Sequence, residues 1–160
     1  MAAPLQENRI KTDEEVYSAC ADDLIRFAVG LVGRSDAQDV VSTAVVRSIS
    51  SKSWPTVSDR RGYLFRAVLN QARNEHRDRQ RRWAKELRGA SDGVSYLPDY
   101  RPEVLAAVQK LSLRQRAVIV LHYWEDLQPS AIAVRLGISE GSVRRHLARA
   151  RAKLRGTLDE

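Results

Sequence analysis

Apolar residues in this chain return every three or four positions, segment after segment, and nowhere alternate with polar ones over a useful length. That period places them along one side of an α-helix, whereas a half-buried strand needs a period of two. A chain patterned in this way has helix faces to bury and little else, so its core must be helix against helix. The first stripe follows a T-x-x-E capping box at Thr12 and Glu15 and comprises Val16, Cys20, Leu24, Phe27 and Leu31. Gly33 ends that helix, and Ser35 or Asp36 is the expected cap of a second, with Val40, Val41, Ala44, Val45 and Ile49 as its stripe.

A serine-rich segment with Trp54 before Pro55 reads as a loop, because proline lacks an N–H and restricts the residue ahead of it. A third helix is expected from about Asp59, with Tyr63, Leu64, Ala67, Val68 and Ala72 as its apolar face. Beyond Ala72 the face fades, leaving Trp83 and Leu87 as the strong apolar groups. Glycines, prolines and serines then mark 89–101 as a linker. Pro102 suits the first turn of the next helix, with Val104, Leu105, Val108 and Leu111 inside. Ser112 and Gln115 make a second capping box, before Val118, Ile119, Leu121 and Tyr123 or Trp124. Two more helices, about 129–136 and 140–155, are separated by "GIS". The predicted fold is all-α, with two small helical domains joined by a flexible linker: a tail at 1–11, a first domain at 12–88, the linker at 89–101 and a second domain at 102–160.

The formal charge of +7 favours a polyanionic partner, but its distribution says more. Residues 60–88 hold ten Lys or Arg against three acids, and 139–156 hold six against one. These excesses of +7 and +5 leave the rest of the chain at −5, so it is an acidic protein with two basic stripes. Cys20 is the single cysteine, which excludes an internal disulfide or a thiolate zinc site. His76, His122 and His146 lack metal-ligand spacing, and the reading calls for no metal and no cofactor. The N-terminus lacks a signal-peptide core and no run approaches the roughly 18 apolar residues of a membrane span, so a cytoplasmic location is expected, without membrane insertion.

A short helix, a glycine turn and a longer basic helix describe a helix-turn-helix. Ile132, Ala133 and Leu136 can pack on Val143, Leu147 and Leu154, leaving Arg144, Arg145, Ala148 and Arg149 on the opposite side, able to enter a major groove. Arginine suits that position because its fork donates two hydrogen bonds to guanine O6 and N7. Ser139 is the expected cap, with Arg151, Lys153 and Arg155 as backbone contacts or solvated charge. The competing reading is a solvated basic helix whose charges complement its dipole, but that needs only a basic last turn, and Arg144 and Arg145 lie in the first. The other stripe, "GYLFRAVLNQARNEHRDRQRR", combines arginines with Tyr63, Phe65 and Asn70. Such a surface neutralises phosphates and stacks unpaired bases. The bland reading makes Tyr63 and Phe65 core residues, and periodicity puts Tyr63 at least partly inside; Asn70 on its own is more often an ordinary exposed helix residue, and Trp54 a cover for the three-helix core.

Taken in order, "LIRFAVGLVGRSDAQDVV", "GYLFRAVLNQARNEHRDRQRR" and "VQKLSLRQRAVIVLHYWEDLQPSAIAVRLGISEGSVRRHLARARAKLR" resemble the extracytoplasmic-function (ECF) sigma factors of the sigma-70 family, over roughly 12–158. "LGIS-GSV" alone is shared with other helix-turn-helix groups; the ordered set is specific. The resemblance implies a sigma-2-like bundle of three or four helices and a sigma-4-like helix-turn-helix domain. It implies a dissociable RNA polymerase subunit that chooses promoters and leaves phosphodiester chemistry to the core enzyme, so that the chain has no catalytic residues. Partners implied are core RNA polymerase, through its clamp helices and flap, promoter DNA and an anti-sigma factor.

By the same resemblance, Ser142, Arg144, Arg145, Ala148 and Arg149 face the upstream, minus 35, element. Trp54, Arg60, Arg61, Tyr63, Arg66, Asn70, Arg73, Asn74 and Arg77 attend the minus 10 element and its melting, with Asn70 at a flipped base. Asp36, Asp39, Val40, Ser42, Thr43 and Arg47 correspond to the polymerase-docking helix. Where family members commonly carry "DLVQE" this chain has "DVVST", so Ser42 and Thr43 replace a glutamine and an acid. That departure motivates a rival reading, a sigma-like DNA-binding regulator with altered or lost polymerase docking. A second departure, "LQPSAIA", alters a helix start without forbidding it. A nucleic-acid enzyme is disfavoured, because Asp36, Asp39 and Asp59 have no evident metal partners and no phosphate-cradling loop or nucleophile set is present. The thirteen-residue linker reaches up to roughly 45 Å, comparable with about 13 base pairs, enough for two domains on separated elements.

Overall fold

The computed structural model describes residues 12–83 and 101–158, which form seven helices and no strand. The expected tail and all of the expected linker except Arg101 lie outside the described residues. Helix α1 (Asp13–Val32) opens on the predicted box: Thr12 Oγ1 accepts from the Glu15 N–H at 3.2 Å, and Glu15 Oε2 accepts from the Thr12 N–H at 2.9 Å. Helix α2 (Arg34–Ile49) begins without the serine or aspartate cap expected of Ser35 or Asp36. Gly33, at φ +85°, both ends α1 and precedes α2, so one residue makes the whole corner. A glycine is suited to that left-handed backbone, and no room remains for a separate capping residue.

Pro55 sits inside a 3-10 turn, Trp54–Thr56, ahead of α3 (Arg60–Trp83). Asp59 caps α3 by accepting the Gly62 N–H at 3.0 Å. Helices α1, α2 and α3 pack on one another as the first bundle. The second bundle comprises α4 (Pro102–Gln109), α5 (Leu113–Tyr123), α6 (Pro129–Leu136) and α7 (Glu140–Leu158). Pro102 and Pro129 stand in the first turns of α4 and α6, and the Ser112–Gln115 box opens α5 as predicted.

The two bundles are pressed together. Helix α1 packs on α4 and α5, α3 packs on α5 and α6, and one continuous cluster of buried side chains runs from Cys20 through Phe65 to Ala150. This contact explains two faces that periodicity alone leaves too narrow. Near its C-terminus α1 is covered all round, with Phe27, Ala28, Val29, Gly30 and Leu31 consecutively buried. On α3 the buried set includes Phe65 and Leu69 as well as Leu64, Val68 and Ala72. At Gly30 α1 and α5 approach closely: a Cβ there would stand 2.3 Å from Val120 Cγ2. Tyr123, by contrast, is 55% exposed, so of the two aromatic residues expected at the end of α5 only Trp124 packs against the core.

Polar groups also join the bundles. Arg116, 8% exposed, donates to Leu31 O at 2.6 Å across the interface, to Leu111 O at 2.8 Å, and to the Gln109 backbone and side-chain oxygens. Burial lowers its pKa. Gln109 Nε2 donates to Gly30 O at 3.1 Å, and Arg26 pairs with Glu125 at 3.1 Å. The Arg135 guanidinium lies 4.8 Å above the Phe65 ring, and Arg61 lies 5.4 Å from the same ring while pairing with Asp23.

Candidate nucleic-acid interface

The turn between α6 and α7 is built by Gly137 at φ +66°, a left-handed C-cap that lets Ile138 N–H reach back to Ala133 O at 3.1 Å. Ser139 then caps α7, its Oγ accepting the Ser142 N–H at 3.1 Å. Ile132 and Leu136 of α6 and Val143, Leu147 and Ala150 of α7 are buried, which orients the other side of α7 outward. On that side Arg144, Arg145, Ala148 and Arg149 are all exposed. Ser142 is half-buried, and its Oγ accepts a hydrogen bond from the Ser139 hydroxyl at 2.9 Å. Arg144 reaches Glu140 at 2.6 Å, a surface pair with little net strength and easily exchanged for another anion.

Arg151 has a different position from the rest of the stripe. Its Nε donates to Tyr123 Oη at 2.9 Å, and its Nη2 lies 3.2 Å from His122 Nε2. With His122 Nδ1 2.8 Å from Leu127 O, the consistent tautomer donates from Nδ1 and accepts from Arg151 at Nε2. Arg151 therefore ties α7 to α5, where the sequence suggested a backbone contact or solvated charge.

On α3, Arg66, Asn70, Arg73, Asn74 and Arg77 fall on one face at helical spacing, with Asn70, Asn74 and Arg77 exposed and Arg66 and Arg73 half-buried. Arg66 points Nη1 at Val134 O and Arg135 O, 3.4 and 3.5 Å away, at the electronegative C-terminus of α6. Trp54 is 3% exposed; it donates from Nε1 to Asp13 Oδ1 at 2.7 Å and meets Tyr63 edge-on at 5.7 Å. Arg60 covers its ring at 5.1 Å and approaches Asp13 at 3.5 Å. Phe65 is wholly buried against Phe27, with centroids 5.2 Å apart, which corrects its reading as a ring open to an unpaired base.

Along α2, Asp39, Ser42 and Arg47 are exposed and Asp36 and Thr43 half-buried, whereas Val40 is fully buried in the first bundle. Val40 therefore belongs to the core of α2, as its place in the apolar stripe predicts, and this corrects its second reading as a docking side chain. Arg47 Nη1 donates to Gln71 Oε1 at 3.1 Å. Val46, which sequence reasoning passed over, is 64% exposed on the same side as Ser42 and Asp39. Arg116 and Arg135 were missed too. For Arg116 the signal was available: it stands three and four positions before Ile119 and Val120, on the inward side of α5.

Among the described residues, no group of three or more His, Cys, Asp or Glu is placed to hold a metal ion. None of the described helices is long and apolar enough to cross a membrane. The family model "Sigma-70 region 2" matches residues 16–82, and "Sigma-70, region 4" matches residues 101–154. A curated relative, RNA polymerase sigma-E factor of Streptomyces antibioticus, is 32% identical, over 91% of this chain and 84% of its own length. ECF RNA polymerase sigma factor SigL of Mycobacterium tuberculosis is 29% identical, over 91% and 88%.

The chain is an ECF member of the sigma-70 family.

Sigma factors are transcription initiation factors, and the two matched regions are the two bundles of this one. The fold is shared with the sigma factor RpoE of Bartonella quintana, solved in complex with the anti-sigma factor NepR. That match has a TM-score of 0.73 at 19% identity and covers 94% of this chain and 98% of the other. In the ECF factor described here the helix-turn-helix surface of region 4 is open to solvent, while the N-terminal part of the basic helix of region 2 is engaged with its own protein.

Proposed function

We propose that α7 reads the minus 35 element in duplex DNA through Ser142, Arg144, Arg145, Ala148 and Arg149. The observation that carries this reading is the exposure of Arg144, Arg145, Ala148 and Arg149 on a helix whose opposite side, Val143, Leu147 and Ala150, is locked into the core. A rigid helix with outward arginines can place a guanidinium fork against a guanine edge, and each good pair discriminates by about 1–3 kcal/mol. Exposed Asn70, Asn74 and Arg77, with Arg73 beside them, suit melted minus 10 DNA, where phosphates need neutralising and base edges are free to bond. Arg60, Arg61, Tyr63 and Trp54 shape the adjoining loop, and Arg66 joins the DNA face when it leaves the α6 carbonyls.

Asp36, Asp39, Ser42, Thr43 and Arg47 form the docking side for the clamp helices of core RNA polymerase, with region 4 meeting the flap. The domains divide at 12–88 and 102–160. An anti-sigma factor is a further partner, supported by the likeness to a sigma factor solved with one. Phosphodiester chemistry belongs to the polymerase, this chain supplies no catalytic residue, and it works in the bacterial cytoplasm.

The test is run-off transcription with core RNA polymerase across a promoter library, paired with Asn70→Ala. Promoter-dependent product is expected, with Asn70→Ala impairing open-complex formation more than duplex binding. Equal impairment of both overturns the Asn70 assignment. Tight duplex binding with neither core binding nor product overturns the docking assignment and leaves a DNA-binding regulator.

A further inference from the structure

Between the two bundles lies a cleft of about 530 Å³, within the size range of small-molecule sites. One wall is α3, with Arg73, His76 and Arg77; the other is the start of α5, with Ser112, Arg114 and Arg116, together with His146 of α7. Among the described residues, no acidic one lines it. Arg73, Arg77 and Arg114 form no salt bridge with a carboxylate among the described residues.

A buried side chain and a buried ring nitrogen sharpen the charge imbalance. Arg116 is 8% exposed and bonded only to carbonyl and amide oxygens, so its charge is held out of water without a counter-ion. His146 Nδ1 is buried and has no hydrogen-bond partner, a rare condition that calls for an explanation. Burial, then the positive charges of Arg114, Arg145 and Arg149, pull the His146 pKa below the ordinary histidine value, which reports a positive potential at that spot. The capping box of α5 uses the Gln115 N–H, leaving those of Leu113 and Arg114 without an intrahelical partner at the cleft edge.

We propose that this cleft is a binding site for a small polyphosphate anion, the phosphoanhydride group of pyrophosphate or of a nucleotide. Such a group is compact, carries several negative charges, and has acceptor oxygens on all sides for the guanidinium forks of Arg73, Arg77 and Arg114, with the charge of Arg116 behind them. A single carboxylate lacks the charge to balance four arginines, and an apolar ligand leaves all of them uncompensated. Because its walls belong to different bundles, an occupied cleft favours the arrangement in which regions 2 and 4 are together, in proportion to the ligand's preference for that state. Arg73 and Arg77 also lie on the proposed minus 10 face, so the anion and melted DNA compete for them. The site itself does not rest on the promoter reading, and its first test needs neither promoter DNA nor polymerase.

The experiment is an NMR titration of the full-length chain, with labelled histidine side chains, against inorganic pyrophosphate at roughly physiological ionic strength, about 0.15 M. Saturable movement of the His146 and His76 resonances is expected, with a dissociation constant below about 1 mM. Arg114→Ala, at an exposed position, should weaken binding at least about tenfold without moving the thermal midpoint, whereas Lys52→Ala should leave binding unchanged. Absence of saturation, or equal affinity in Arg114→Ala and the parent, overturns the proposal. A second arm adds a short single-stranded oligonucleotide. If it binds more tightly than pyrophosphate and depends equally on Arg114, the phosphates recognised are those of a DNA backbone and the small-anion assignment fails. If binding of the oligonucleotide is indifferent to Arg114, the assignment stands.

Discussion

On α7, Arg144, Arg145 and Arg149 extend into solvent from a helix held by Val143, Leu147 and Ala150. On α3, Arg60, Arg61 and Arg66 turn toward Asp13, Asp23 and the carbonyl end of α6, and Phe65 between them is wholly buried. Both helices are rich in arginine, but only α7 has a single apolar side. Helix α3 is covered by α1 and α2 on one flank and by α5 and α6 on another, so its first turns serve packing while its middle remains open. A basic stripe in a sequence thus says that cations gather along a helix; the sides its neighbours cover decide which of them a nucleic acid can reach.

The contrast breaks most easily at the ring. Phe65→Ala should destabilise the protein by about 3–5 kcal/mol, read as a fall in the urea midpoint, because it empties a site between two bundles and removes the platform of Arg135 and Arg61. A loss below about 1 kcal/mol would return Phe65 to the surface-ring reading. Gly30→Ala comes next, at about 1–3 kcal/mol, since its new methyl group would stand 2.3 Å from Val120 Cγ2 and force α1 and α5 apart. A distance probe between the bundles should report that separation, and an unchanged distance with unchanged stability would show the contact to be slack. Arg145→Ala should change stability by no more than about 0.5 kcal/mol. Its effect belongs to recognition: selection against wrong bases at one minus 35 position should relax by about 1–3 kcal/mol, measured by competition binding of region 4 sites in the polymerase holoenzyme. Uniform weakening across all sequences would move Arg145 from base reading to phosphate contact.

Much of the architecture was legible because it is local. Both capping boxes, the proline starts of α4 and α6, the Gly137 turn and the Ser139 cap are short-range hydrogen-bond or backbone preferences, and each appears where the sequence put it. The exposed arginines of α7 were legible for the same reason: a single buried stripe defines its own opposite face. The misses share a different cause. Gly33 displaced the expected serine or aspartate cap because two helices meet at one residue. Phe65, Val40 and Trp54 lie deeper than the site readings placed them, Arg116 is a buried cation and the half-buried Arg135 lies over the Phe65 ring, because elements far apart in the chain meet there.

By itself, the sequence determined seven helices among the described residues, their order, most of their ends and the helix-turn-helix, together with the family motifs, since these follow from spacing and capping within a few turns. Only the tertiary structure decided that the two bundles share one core, that Gly30 must be small and Arg116 buried, and that arginines of α3 and α5 line one cleft with no acid beside them among the described residues. Those facts depend on contacts between residues dozens of positions apart. Periodicity reports which side of a helix is buried, whereas the partner that buries it is selected by packing across the whole chain.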